Sequence, residues 1–214
     1  MLTNLTGINL LFVLVSILIS MTIHEAMHGY MAYWLGDTTA ADMGRLTFNP
    51  LKSIDLVTTV ALPLVLILLQ IPPIFAAKPV PFNPNQVKYD EYGVALVGII
   101  GPVTNLILAI IGALLFRKFA LTASSDVFNA LLVFVEVNVG FFIFNIIPFP
   151  PLDGSRVLYA FAPEPLQKLM QRIESAGFLA ILFFFVIVFG FVSGPIENLE
   201  SHLLHLLLGL NFVT

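Results

Sequence analysis

Residues 5–29 read LTGINLLFVLVSILISMTIHEAMHG, a stretch without Lys, Arg or Asp. A helix needs about 20 mainly apolar residues to cross the hydrocarbon core of a bilayer, so this segment, A, is long enough to span. Its far end carries three ionisable groups within five residues, His24-Glu25-Ala26-Met27-His28. Such groups are costly in an apolar helix unless they satisfy one another. Each helical residue turns about 100°, which puts positions i and i+4 about 40° apart. Both imidazoles can therefore reach one metal ion, with Glu25 on the adjoining face. Zinc held by two His and a carboxylate keeps a position for water and lowers that water's pKa towards about 7. Glu25 is then placed to take the proton and hand it to a leaving amine. A lacks a basic leading region, so it reads as a retained span and not as a cleaved signal.

The rest of the chain agrees with a lipid setting. Of its 214 residues, 58% are hydrophobic and only 10% charged, against about 45–50% and 25% in soluble domains. The residues missing are those that coat a water-facing surface. A net charge of −4 gives no basic patch for nucleic acid, and the absence of Cys rules out disulfides, thiolate nucleophiles and Cys-ligated zinc. Four further apolar segments follow: B (about 56–77, interrupted by Pro63, Pro72 and Pro73), C (93–116, without charge), D (127–147, holding Glu136) and E (about 176–192). A last apolar piece, 199–210, is too short to span. With His202, His205 and Gly209 on one stripe, it suits a helix lying in the interface. The expectation is an all-α polytopic membrane protein of about five apolar segments with short extended loops near the active site. It forms a single membrane-embedded domain over 1–214: a catalytic core of about 5–160, then a C-terminal span and interfacial helix over 176–212. No separate soluble domain fits in this length.

A third metal ligand must come from elsewhere. Asp153 ends the stretch Asn145-Ile146-Ile147-Pro148-Phe149-Pro150-Pro151-Leu152-Asp153-Gly154. Its three prolines prevent a regular helix, and irregular backbone is tolerated at membrane depth only where it is buried in protein or lines a wet cavity. An acid there is a plausible ligand, although a solvated Pro-rich turn is the competing local reading. Glu164, Glu174 and Glu197 are the alternatives if the third ligand is a Glu.

Taken together, His24–His28 and the Asn145-x-x-Pro148-x-Pro150-x-Leu152-Asp153-Gly154 stretch resemble the site-2 protease family, intramembrane zinc metalloproteases. Gly101-Pro102-x-x-Asn105 in segment C resembles a further motif of that family. The likeness covers roughly residues 20–160. Gly44-Arg45-Leu46-Thr47-x-Asn49-Pro50 and Lys78-Pro79-Val80-Pro81 look like the compact subgroup, which lacks PDZ and CBS domains. The resemblance implies one zinc per chain held by His24, His28 and Asp153, Glu25 as general base, and Asn145 and Asn105 lining the site, with Asn145 steadying the oxyanion. It also implies transmembrane protein substrates and a multi-pass protein of a prokaryotic plasma membrane. Ser53 stands where this subgroup is expected to carry His. A metal-binding permease or scaffold that performs no hydrolysis is the reading from another class.

Parity constrains the topology. If all five segments crossed, A and D would run in opposite directions and His24 could not meet Asp153. If B enters and leaves on one side, A and D become parallel. Seven of the nine Lys and Arg then share the active-site side, with Arg117 and Lys118 opposite. The positive-inside rule places that side in the cytoplasm. B is therefore expected to be re-entrant. Segment 78–82 is expected to wall a groove where an unwound substrate pairs by strand addition through Val80 and Phe82. Seven residues separate Asn138 from Asn145, so it shares that face and is expected in the cavity, whereas Glu136 faces away.

Overall fold

The computed structural model describes residues 7–54, 78–119, 122 and 124–209, and among these there are helices and turns but no strand. Segment A forms α1, Gly7–Trp34. The polar loops contribute one helical turn, α2 (Thr39–Asp42), and two 3-10 turns, Pro50–Lys52 and Pro84–Gln86. Segments C and D form α3, Asp90–Phe119, and α4, Ser125–Ile146. After them come α5 (Gly154–Phe161) and α6 (Glu164–Ser175), then α7 (Phe178–Phe183), which runs through a π-helical turn at Phe184–Val188 into α8 (Phe189–Leu208).

Three of the described helices, α1, α3 and α4, are long and apolar enough to cross a membrane. At about 1.5 Å per residue, the 28 residues of α1 and 30 of α3 outreach a hydrocarbon core of about 30 Å. That length is enough for their ends to reach the headgroups. Asp90 and Glu91 open α3 while Arg117 and Lys118 close it, each charge complementing the helix dipole. α4 stops where Pro148 forbids its predecessor the helical conformation; Ile147 is extended, at φ −60° and ψ 128°.

The direction of these helices fixes where the loops gather. Lys88 N–H donates to Leu35 O at 2.8 Å, so the chain enters α3 at the place where it left α1. α4 lies antiparallel to α3, with Asn105 meeting Asn138 and Phe116 meeting Phe128. α1 and α4 thus run parallel, α3 runs against both, and the C-terminal ends of α1 and α4 share one end of the bundle. The loops and short helices carrying seven of the nine Lys and Arg follow from that end. Segment B, expected to be re-entrant, lies outside the described residues. The chain flanking it closes up: Lys78 N–H donates to Ser53 O at 2.8 Å.

Helix α3 is central, lying against α1, α4 and α5. Its small residues allow the close backbone approach on which helix association in lipid depends. Ala109, Ala113 and Phe116 of α3 form a core with Val135, Val139 and Ile143 of α4 and with Leu204 and Leu208 of α8. Residues 199–208, expected as an interfacial helix, form the end of α8, whose Leu204 and Leu208 are buried in that core while His202 and His205 stay exposed. The His stripe was visible in the sequence, but the apolar stripe opposite it had found a partner that only packing could reveal.

At the loop end, Asp37 is buried, 1% exposed. Its carboxylate accepts Thr39 N–H at 2.9 Å, the Thr39 hydroxyl, and Asn83 N–H at 2.6 Å, tying the end of α1 to the turn at residues 83–86. Burial alone would raise the pKa of this acid; the three donors outweigh it and hold it below the usual carboxylate range.

Two measurements test this arrangement. The chain has no native Cys, so Lys78→Cys and Lys118→Cys can be labelled singly, and impermeant reagents should reach them from opposite faces of the membrane. Labelling of both from one face would contradict the topology. Because its folded-state pKa is depressed, Asp37 stabilises the fold above the ordinary carboxylate pKa of about 3.9 and loses that contribution as pH falls through the lower, folded value. Asp37→Asn should cost about 1.5–3 kcal/mol at neutral pH, a deficit that unfolding curves in detergent should show shrinking in strong acid.

Candidate metal centre

His24 and His28 sit on successive turns of α1, on the face turned towards α3. Both are buried, and their rings stand edge to face with centroids 4.6 Å apart. Each ring is tethered at Nδ1. His24 Nδ1 lies 2.6 Å from Asn105 Oδ1, and His28 Nδ1 lies 2.6 Å from the Val97 carbonyl oxygen. Both partners are acceptors on α3, so both rings donate from Nδ1 and leave Nε2 as the nitrogen to offer a metal. This is the tautomer a metal ligand needs, and a fixed partner on the opposite ring nitrogen is the usual support of a ligating His. Asn105 is itself held, its Nδ2 donating to Asn138 Oδ1 at 3.0 Å, while Asn138 Nδ2 donates to Phe134 O at 2.8 Å.

The two Nε2 atoms lie 3.0 Å apart, and Asp153 Oδ2 lies 3.0 Å from His24 Nε2 and 3.3 Å from His28 Nε2. With ligand bonds of about 2.0–2.1 Å, tetrahedral zinc needs its donors about 3.3 Å apart. The triangle has that size, and its donor set of two neutral imidazoles and one carboxylate suits zinc. These residues fit the ion. Asp153 immediately precedes α5, where an Asp commonly caps the helix with its side chain, yet this carboxylate caps nothing and points at the imidazoles instead. Glu164 and Glu174, weighed as other third ligands, pair with Lys168 at 2.6 Å and Arg156 at 3.6 Å, and Glu197 lies outside the group near enough to share an ion.

Gly101 makes the approach of α1 possible. A Cβ at that position would overlap His28 Nε2 and come within 2.6 Å of His24 Cε1. The sequence marked this glycine only as part of a motif; its steric reason lies in the helix opposite.

A cavity of about 560 Å³ opens beside the triangle. Glu25 and Asn145 line it, as do Val80 and Phe82 of the loop segment, Phe141 and Phe144 of α4, and Phe184, Phe185 and Phe189 of the last helix. Of the residues singled out from the sequence, His24, Glu25, His28, Asn145, Asp153, Val80 and Phe82 therefore share one site. Asn105 and Asn138 do not line the cavity. They stand behind His24 as a hydrogen-bonded pair, and the shared face of Asn138 and Asn145 could not reveal that another helix intervenes. Asn145 Nδ2 donates to Phe141 O within its own helix at 3.1 Å. Glu136 is half-buried and outside the cavity lining. Val80 was expected to offer its N–H to a substrate strand. That N–H is instead donated to Glu25 Oε2 at 3.0 Å. Sequence reasoning missed Arg156, which lines the cavity with its guanidinium over the Phe82 ring at 4.9 Å, and the phenylalanines of the π-helical turn.

Replacing the supports should be felt at the metal. Gly101→Ala should leave the protein with little bound zinc, measured by elemental analysis of the purified membrane protein. Asn105→Ala should weaken zinc by about 10–100-fold in chelator competition, whereas Glu136→Gln should leave affinity unchanged.

Comparison with known proteins agrees with this chemistry. The chain is 34% identical over 195 residues to the protein named "Putative zinc metalloprotease YwhC" of Bacillus subtilis, covering 87% of this chain and 86% of that one. It is 26% identical over 170 residues to "Putative zinc metalloprotease Rip2" of Mycolicibacterium smegmatis, covering 77% of this chain and 62% of that longer relative. No protein-family profile matches the chain, and no solved structure matches it significantly.

Proposed function

The chain belongs to the site-2 protease family of zinc metalloproteases, and from that premise we propose that it hydrolyses peptide bonds in or near the transmembrane segments of other membrane proteins. The observation that carries this reading is the His24–His28–Asp153 triangle opening onto a largely apolar cavity between helices suited to lipid. His24 lies ten residues before the end of α1, about 15 Å along the helix. The reacting groups are thus sunk below the headgroup end of the bundle, at a depth where the peptide bonds of a membrane-embedded segment can reach them.

His24, His28 and Asp153 would hold one zinc ion, which when bound supplies Lewis-acid polarisation of the scissile carbonyl and of the attacking water. The remaining work falls to the chain. Glu25 accepts the proton of the attacking water and returns it to the departing amine. Asn145 lines the same cavity and steadies the oxygen on which charge develops. The aromatic walls from α4 and the last helix receive the apolar side chains of the substrate. Phe82 and the carbonyl of Val80 are the groups that residues 78–82 offer to an unwound substrate strand.

Seven Lys and Arg at the catalytic end, with Arg117 and Lys118 at the other, support a cytoplasmic active site in a prokaryotic plasma membrane. The Ser53–Lys78 closure supports a path for segment B that enters and leaves on that side. The Gly44–Pro50 and Lys78–Pro81 sequences support the compact subgroup.

The decisive experiment combines zinc analysis with cleavage of a reporter transmembrane substrate. Glu25→Gln should keep its full complement of zinc and lose at least about a thousandfold in turnover, the scale expected for loss of a general base. Asp153→Ala should lose both zinc and cleavage. A metal-binding permease would instead show no zinc-dependent cleavage by the wild type and little effect of Glu25→Gln on transport.

A further inference from the structure

The general base is held by a loop, and the loop is held by an arginine. Glu25 Oε2 accepts Val80 N–H at 3.0 Å. Val80 lies between Pro79 and Pro81, so its neighbours have no N–H to offer and a residue preceding proline is kept extended. Val80 is buried and its side chain rests on α1: a Cβ at Gly29, one turn beyond Glu25, would come within 2.8 Å of Val80 Cγ1 and 2.7 Å of Leu46 Cδ2. The absence of a side chain at position 29 is what lets residues 78–82 lie this close to α1.

Both ends of this short strap are anchored. At its far end, Asn83 N–H is held by the Asp37 carboxylate at 2.6 Å. At its near end, the guanidinium of Arg45 donates to three backbone carbonyls: Nη1 to Lys52 O at 3.0 Å, and Nη2 to Lys78 O at 3.1 Å and Pro79 O at 3.5 Å. Lys78 N–H bonds Ser53 O, and Arg45 is itself fixed by its backbone N–H on Ala40 O at 2.8 Å. A planar guanidinium with five donors can bridge several carbonyls in fixed geometry, as an ammonium cannot.

We infer that Arg45 is a positioning residue for proteolysis: by clamping the Lys78 and Pro79 carbonyls it holds the Val80 N–H on one oxygen of Glu25 and so presents the other oxygen to the attacking water. This inference rests on Glu25 being the general base. A carboxylate with one oxygen tethered has lost its rotational freedom before the reaction begins, which lowers the barrier rather than the strength of substrate binding. The role is orientation, not proton transfer, because Arg45 contacts backbone carbonyls and touches neither Glu25 nor the triangle.

The test uses the full-length protein, zinc-loaded in detergent or liposomes. Arg45→Ala should lower kcat about tenfold or more, with zinc content unchanged and KM for a reporter substrate within about twofold. Val80→Pro removes the one donated hydrogen and keeps the strap extended; it should give the same loss. The double variant should be no worse than either single, as expected of residues acting through one contact. Added guanidinium ion should restore part of the kcat of Arg45→Ala and none of that of Val80→Pro. Amide exchange provides a readout independent of turnover. Residues 78–82 hold only three N–H groups, and their protection should fall in Arg45→Ala and in Glu25→Ala. Unchanged kcat in Arg45→Ala, an additive double variant, or unchanged protection would each overturn the inference. If the zinc-loaded wild type cleaves no substrate, the proteolytic reading fails, and the exchange experiment still decides whether Arg45 fastens Val80 to Glu25.

Discussion

Two hydrogen bonds from α1 to α3, His24 Nδ1 to Asn105 Oδ1 and His28 Nδ1 to the Val97 carbonyl, are the contacts on which the rest of the molecule depends. They set the rotation of α1 about its axis and the tautomer of both rings, and they direct both Nε2 atoms to the point where Asp153 arrives. In a lipid setting the hydrophobic effect does not drive helix against helix, so packing and polar contacts must choose the register. Here the same polar contacts choose the register and prepare the metal site. An unpaired imidazole at this depth would be costly, so registers that strand His24 or His28 are disfavoured.

α3 serves this arrangement along its whole length. Near its start it offers the Val97 carbonyl; one turn on, Gly101 clears space for the imidazoles; one turn further, Asn105 reaches His24 while leaning on Asn138 of α4. Beyond that it is packed by Ala109, Ala113 and Phe116 against α4 and α8. The helix holds polar partners at one end and small apolar residues at the other. Moving α4 relative to α3 would therefore disturb Asn138, Asn105 and His24 in turn.

The loop end is organised on a different principle. Its connections are backbone groups caught by charged side chains: Asp37 gathers N–H groups and Arg45 gathers carbonyls. Between them, five residues cross the site and deliver one N–H to Glu25. Proline at positions 79 and 81 limits the N–H groups this strap offers, so the one at Val80 has no immediate competitor. The site is thereby crossed by a segment whose stiffness is covalent and whose anchorage is electrostatic.

The sequence by itself determined the lipid setting, the long apolar stretches that form α1, α3 and α4, and the helical spacing that joins His24 to His28, and through parity it set the expectation that α1 and α4 run parallel. These follow from local composition and from a parity argument, neither of which needs side-chain positions. It could nominate Asp153 but not seat it, since a carboxylate after three prolines is as consistent with a solvated turn as with a ligand. Only the tertiary structure decided that Asn105 and Asn138 stand behind the site rather than in it, that the last apolar stretch is packed in the core, and that Val80 serves Glu25. Each of these depends on which neighbour fills the space opposite a residue. Periodicity assigns a residue to a face of its own helix; it carries no information about what another helix or loop brings to meet that face.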